Sequence, residues 1–131
     1  MTKAYLLDTS AYSAFNRKDT RLRQWFQPEL SIIVPMIVIA ELRAGFALGT
    51  QPEVNEMLLQ RFLDTSNVST ITLTHTTAKL YATIFAALRR AGTPIGSNDM
   101  WIAALALEHD LSLLTLDADF LHIPDLLVAK I

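Results

Sequence analysis

Short apolar runs alternate along this chain with longer stretches in which apolar side chains recur every three or four positions. The first run, residues 3–7 (KAYLL), predicts a strand that ends at Asp8. Residues 9–17 and 19–27 read as two short helices. Residues 30–34 (LSIIV) predict a second strand, nearly all apolar, as expected where both faces of a sheet are covered. Pro35 can open the helix that follows, which extends to about Leu48 and stops at Gly49. Thr50-Gln51-Pro52-Glu53 spells a capping box, and the helix it begins carries Val54, Met57, Leu58 and Phe62 on one face. Residues 68–73 (VSTITL) alternate and predict a third strand. Thr74 then caps a long helix with Leu80, Tyr81, Ile84, Phe85 and Leu88 facing inward. Arg89 and Arg90 in its last turn, Gly92 beyond them and then Pro94 mark its end. A further helix spans 98–109, with Ile102, Leu105 and Ala106 inward. Residues 111–115 (LSLLT) form a fourth strand, and 126–129 (LLVA) are a candidate for a fifth.

Strands that alternate with helices imply crossover connections, hence an α/β fold with a mostly parallel central sheet flanked by helices. The 131 residues suit one domain, 1–131, large enough to bury a core without disulfide or metal staples. In open sheets of this kind ligands bind beyond the carboxyl ends of the strands. Asp8 and Asp117 each follow a short apolar strand and are expected on that edge.

Composition narrows the chemistry. There is no cysteine, so thiolate metal sites, disulfides and cysteine nucleophiles are excluded, and a reducing cytoplasm is the expected location. The N-terminal residues lack the apolar segment of a signal peptide. The longest strongly apolar run, residues 32–40, is interrupted by Pro35 and is far short of the roughly 20 residues that span a membrane. The net charge of −2 argues against a broad phosphate-binding surface. An enzyme that gathers acids in one pocket remains compatible with it.

Four acids lack evident partners. The helical neighbours of Glu41 are Ile37, Val38, Ala44 and Gly45, none cationic. A carboxylate in that setting either reaches solvent at the edge of the apolar stripe or needs a partner such as a metal. The neighbours of Asp99 are Ile95, Gly96, Ile102 and Ala103, although an aspartate in a first helical turn is also favoured by the helix dipole. Asp8 can serve as a helix cap. Asp117 can make a turn, with Asp119 as a competing turn or cap residue. Taken together, two acids follow strands and two lie on helices that the fold can aim at the same edge. Four clustered carboxylates repel one another unless cations intervene. Hard oxygen ligands suit Mg²⁺ or Mn²⁺ rather than zinc. Such a site can activate water and stabilise the leaving oxygen of a phosphodiester.

The segments LLDTSAYSAF, IVIAELRAGF, SNDMWIAALAL and LLTLDADF, in this order and spacing, resemble the PIN domain, in particular the toxins of VapBC toxin–antitoxin systems. The resemblance covers essentially the whole chain and implies a single PIN-like domain. By motif it places the family's acidic site on Asp8, Glu41, Asp99 and Asp117, with Thr115 as the hydroxyl residue two before the last acid. Thr9 and Asn98, beside Asp8 and Asp99, are the expected supporting polar residues. The resemblance implies a Mg²⁺-dependent endoribonuclease that leaves a 3′-hydroxyl and a 5′-phosphate, with Mn²⁺ as a substitute. It also implies a homodimer held by a cognate VapB-type antitoxin, the complex reaching operator DNA only through that antitoxin.

Other features carry less. Arg17, Lys18, Arg21 and Arg23 are the densest basic cluster and are candidates for RNA phosphates, although Asp19 among them equally suits a solvated face. Trp25 and Phe26 suit core packing better than base stacking. His75, His109 and His122 show no metal-ligand spacing. Ser10 and Ser13 lack a base for nucleophilic catalysis. Two other readings compete: a receiver-type signalling domain and a catalytically silent PIN-like binding module. The first needs paired acids after the first strand and an aspartate after the third. Here Asp8 stands alone and Thr74-His75 follow residues 68–73.

Overall fold

The computed structural model describes residues 3–131; the first two residues of the expected domain lie outside it. Strands β1 (Ala4–Leu7), β2 (Ser31–Pro35), β3 (Val68–Ile71) and β4 (Ser112–Leu114) form one sheet in the order β3-β2-β1-β4. Every pairing is parallel: Tyr5 lies opposite Ile32 on one side and Ser112 on the other. β1 is flanked on both edges, and Tyr5, Leu6 and Leu7 are all buried. The chain moves outward from β1 to β2 and β3, then returns to the opposite side for β4. The order therefore reverses between β1 and β4, where an open sheet leaves a crevice at its carboxyl edge.

Helices α1 (Thr9–Asn16), α2 (Met36–Leu48), α3 (Pro52–Leu63), α4 (His75–Ala91) and α5 (Ser97–Glu108) cover the sheet. Leu6, Leu7, Ile32, Val34, Leu113 and Leu114 from the strands meet Leu22, Leu59, Leu88, Ile102, Leu105 and Phe120 in a continuous core. α5 is enclosed nearly all round: Met100 and Ile102 to Ala106 are buried. That suits a segment with no charged residue between Asp99 and Glu108. The end of α4 is as its sequence signals, with Gly92 left-handed at φ 73 after Arg89 and Arg90.

Four expectations are corrected. The helix expected over 19–27 is a 3₁₀ segment, Thr20–Trp25, fitted between the Asp19 cap and Pro28. The capping box at Thr50–Glu53 does not form. Pro52 disfavours helical backbone at Gln51, which sits at φ −135 and ψ 59, so the helix starts one residue late and has no side-chain cap. On α3 the buried residue is Leu59, flanked by half-buried Leu58, Phe62 and Leu63, while Val54 and Met57 are exposed, as is Phe85 on α4. Residues 126–129 supply only a single parallel bridge, Val128 to Leu113, rather than a fifth strand. Among the described residues no helix is long and apolar enough to cross a membrane.

Candidate active site

Asp8 is placed by the end of β1, where its backbone N–H donates to the Leu114 carbonyl at 3.2 Å. It is the N-cap of α1, as its position predicts, and accepts from the Ala11 N–H at 2.9 Å. Capping does not exhaust its carboxylate. Ser10 Oγ donates to it at 2.8 Å, and the Thr115 hydroxyl donates to its other oxygen. Ser10 Oγ in turn accepts from the Leu116 N–H at 3.0 Å, and Thr115 Oγ1 accepts from the Asp117 N–H at 3.0 Å. A two-hydroxyl bridge thus ties the β1–α1 junction to the segment after β4, across the switch point. Burial pushes the Asp8 carboxyl above the usual aspartate range, against the pull of Thr115, Ala11 and Ser10 and with a further push from Asp117.

Thr115 follows β4 and is buried with Asp8. Two residues on, Asp117 begins the 3₁₀ turn Ala118–His122 and accepts from the Asp119 N–H at 2.9 Å. Asp117 is therefore the turn residue, and Asp119, the competing candidate, is exposed beyond it.

Glu41 lies mid-way along α2, half-buried, and accepts from Thr9 Oγ1 at 2.9 Å. Thr9 opens α1 directly after Asp8, so this bond draws the Glu41 side chain toward the carboxyl edge. Asp99 sits half-buried in the first turn of α5. A cavity of about 300 Å³ holds Glu41 and Asp99 with Gly96, Ser97 and Asn98; a separate one of about 220 Å³ is lined by Thr115 and Asp117. The Asp99 carboxyl is pushed up to about 6, first by burial and then by the charges of Asp117, Glu41, Asp8 and Asp119. Asp99 thus feels all three of the other sequence-predicted acids.

Among the described residues none of these four acids is in an ion pair. No three acidic or histidine side chains there are posed closely enough to grip one ion together. Hydroxyl donors occupy oxygens of Asp8 and Glu41. The donor set itself, four carboxylates and hydroxyls with no sulfur or imidazole, fits a hard divalent cation.

The basic cluster is not brought to this edge. Arg21 is tied to Asp19 by a 2.7 Å ion pair. Lys18 and Arg23 line a separate cavity of about 320 Å³ with Phe15, Asn16 and Asp19. Arg17 caps the far end of α1, about 13.5 Å along the helix from Asp8 at 1.5 Å per residue. Trp25 packs edge-on against Tyr5 at 5.0 Å, and Phe26 stacks on Phe15 at 3.9 Å, which are core roles. Ser10 is the residue that sequence reasoning missed. Its signal was present: a hydroxyl two positions after an acid that closes a strand.

A parallel sheet with carboxylates gathered at its switch point defines an α/β protein with an acidic carboxyl edge. Residues 5–126 match the PIN domain family model, and the chain belongs to that family. It is 29% identical over 98 residues to Ribonuclease VapC4 of Mycobacterium tuberculosis, covering 75% of each chain. Among solved structures it resembles DNA-bound VapBC from Salmonella typhimurium, with a TM-score of 0.84, 26% identity and 98% of both chains covered. It also resembles VapBC2 from Rickettsia felis bound to a promoter DNA fragment, at a TM-score of 0.83 and 27% identity, covering 96% of this chain and 97% of that one. The receiver reading falls with this membership.

Proposed function

We propose that the chain is a VapC-type endoribonuclease, the toxin of a type II toxin–antitoxin pair, whose reacting groups are Asp8, Glu41, Asp99 and Asp117. The observation that carries the reading is the placement of the acids: Asp8 directly follows β1, Asp117 follows β4 beside it, and Glu41 and Asp99 share one cavity, with no ion-pair partner for any of them among the described residues. The named similarity to Ribonuclease VapC4 supports the substrate class. Mg²⁺, or Mn²⁺ in its place, would be held by these four carboxylates, and when bound it supplies charge neutralisation and activation of water for phosphodiester hydrolysis.

The protein's own part is positioning. Ser10 and Thr115 fix both oxygens of Asp8, so that it cannot swing away from the edge. Thr9 orients Glu41. Asp99, its carboxyl pushed up to about 6 by burial and then by the neighbouring acids, is an acid that can exchange a proton as the local charge changes. Asn98, which borders the Glu41–Asp99 cavity, is a supporting polar residue in this reading. Arg17, Lys18 and Arg23 can reach only the more distant parts of a long RNA.

The DNA-bound VapBC complexes it resembles support a VapB-type antitoxin as partner. A homodimer, contact with operator DNA only through the antitoxin, and action in the cytoplasm belong to the same proposal. The test is brief expression of the chain alone followed by sequencing of RNA 5′ ends. New ends should appear, and should be lost in Asp8→Asn, Glu41→Gln, Asp99→Asn and Asp117→Asn variants that remain folded, with Asp119→Asn affected least. Purified protein should cleave in Mg²⁺ and stop in excess chelator. Cleavage that survives chelation, or folded acid variants that cut normally, would overturn the assignment.

A further inference from the structure

A second cavity adjoins the acidic one. It measures about 240 Å³ and lies between α4 and the start of α5, lined by Tyr81, Phe85, Arg89, Pro94, Ile95 and Ser97 among others. Ser97 also lines the cavity that holds Glu41 and Asp99, so the two share a wall. The chemistry changes across that wall. On the far side Phe85 is 41% exposed, and the Arg89 guanidinium lies over its ring at 4.9 Å from the centroid. Tyr81 is braced by stacking on Trp101 at 4.1 Å and 29°. Arg89 has no carboxylate partner among the described residues.

We propose that this cavity binds one nucleobase of the RNA, that of a nucleotide flanking the scissile linkage. The inference rests on the reading of the acidic edge as the place of RNA hydrolysis. Its volume is below the roughly 300–1,000 Å³ of pockets for drug-sized ligands and suits a single flat ring system. A partly exposed phenylalanine with a guanidinium over its ring offers a planar group on which a base can stack, and the same cation balances an adjacent phosphate. The need for such a group is specific to this chain. Its net charge is −2 and its acids repel the substrate backbone, so attraction must come from beside the acids. The Arg17–Arg23 cluster, at the far end of α1, cannot provide it next to the cut. Arg89, across Ser97 from Asp99, can.

The test is a cycle between protein and substrate variants in Mg²⁺. Phe85→Leu and Arg89→Gln change exposed side chains, and circular dichroism checks that each variant folds. Each should raise KM for a short oligoribonucleotide roughly ten- to hundredfold, the range of one stacked base, with kcat far less changed. An abasic nucleotide at one position beside the scissile linkage should impose a similar penalty on the unsubstituted protein and almost none on Phe85→Leu. Binding of a labelled oligoribonucleotide in chelator, followed by anisotropy, should weaken in parallel. Equal abasic penalties in both proteins would overturn the proposal. So would unchanged KM accompanied by a shift of Phe85→Leu from dimer to monomer, which would assign the face to a second copy of the chain. Loss of all metal-dependent cleavage by the unsubstituted protein would instead overturn the hydrolytic reading itself; cleavage insensitive to Phe85 and Arg89 would leave that reading standing and remove only this one.

Discussion

At the scale of single residues, Asp99 concentrates the electrostatic consequence of the site. Its carboxyl is pushed up to about 6, while an unfolded chain returns it to about 3.8. The metal-free folded protein therefore holds a proton that the unfolded chain releases between those values. The resulting stability is fully present below about pH 4, is lost as pH rises through about 6, and is flat above. Asp99→Asn should remove most of this slope and stabilise the metal-free protein near pH 7.5 by about 1–2 kcal/mol, discounted because the side chain is half exposed. Thermal melts in chelator from pH 4 to 8 would check it; a variant less stable than the parent at pH 7.5 would contradict it. By the same competition Mg²⁺ should bind more weakly below about pH 6. How much of this was legible depends on the residue. The placement of Asp8 and Asp117 at the carboxyl edge was legible from the apolar strands they follow, and the want of counter-charges around Glu41 and Asp99 from their helical neighbours. The part played by Ser10 was not, because a serine in a first helical turn reads as an ordinary helix-start residue. Only the fold reveals that Thr115, 105 positions on, lies beside it.

At the scale of elements, helix ends separate what local sequence decides from what packing decides. Thr74 is the cap that its sequence predicts, and its box closes with Thr77: the Thr77 hydroxyl accepts from the Thr74 N–H at 2.9 Å. The same two hydroxyls donate to Glu108 at the end of α5, Thr74 at 2.8 Å, which lowers the Glu108 carboxyl below its usual range. That link joins the start of α4 to the last turn of α5 and was invisible in sequence, since the partners lie 31 and 34 positions apart. Thr77 is fully buried, so Thr77→Val should destabilise by about 1–3 kcal/mol by breaking the box and leaving Glu108 short of a donor. Urea unfolding would measure it, and a change below a few tenths would show the link to be incidental. The false box at Thr50 shows the converse. A four-residue motif was outweighed by one proline restricting the residue before it. Helical periodicity likewise located α3 and α4 but not how each sits on the core: Met57 and Phe85 fit the period and lie outside.

At the scale of the whole molecule, strand–helix alternation was enough to predict the parallel sheet, because a parallel connection needs a crossover. It could not predict the strand order, on which the meeting of Asp8 and Thr115 depends. Between α2 and α3 a cleft of about 760 Å³ is lined by Phe46, Ala47, Pro52 and Met57 beside the Arg43–Glu56 ion pair. An antitoxin segment docked there should slow hydrogen exchange over 36–64, and unchanged protection would count against it. The last prediction concerns the products. Ribonucleases that work without metal commonly use the RNA 2′-hydroxyl as nucleophile, leaving a 2′,3′-cyclic phosphate, and need a base and an acid set on either side of the phosphate. His75, His109 and His122 do not line the two cavities that hold Thr115, Asp117, Glu41 and Asp99. His109 lies instead 3.8 Å from Glu108 at the end of α5. The four acids suit water as the nucleophile. The downstream fragment should therefore carry a 5′-phosphate and ligate without prior phosphorylation, and the upstream fragment should end in a 3′-hydroxyl. A single 2′-deoxy substitution at the scissile nucleotide should leave cleavage possible, with any loss appearing in KM where the protein reads that hydroxyl. A cyclic phosphate on the upstream fragment, together with no cut in the deoxy-substituted strand, would refute hydrolysis by water even if Asp8, Glu41, Asp99 and Asp117 do bind the metal.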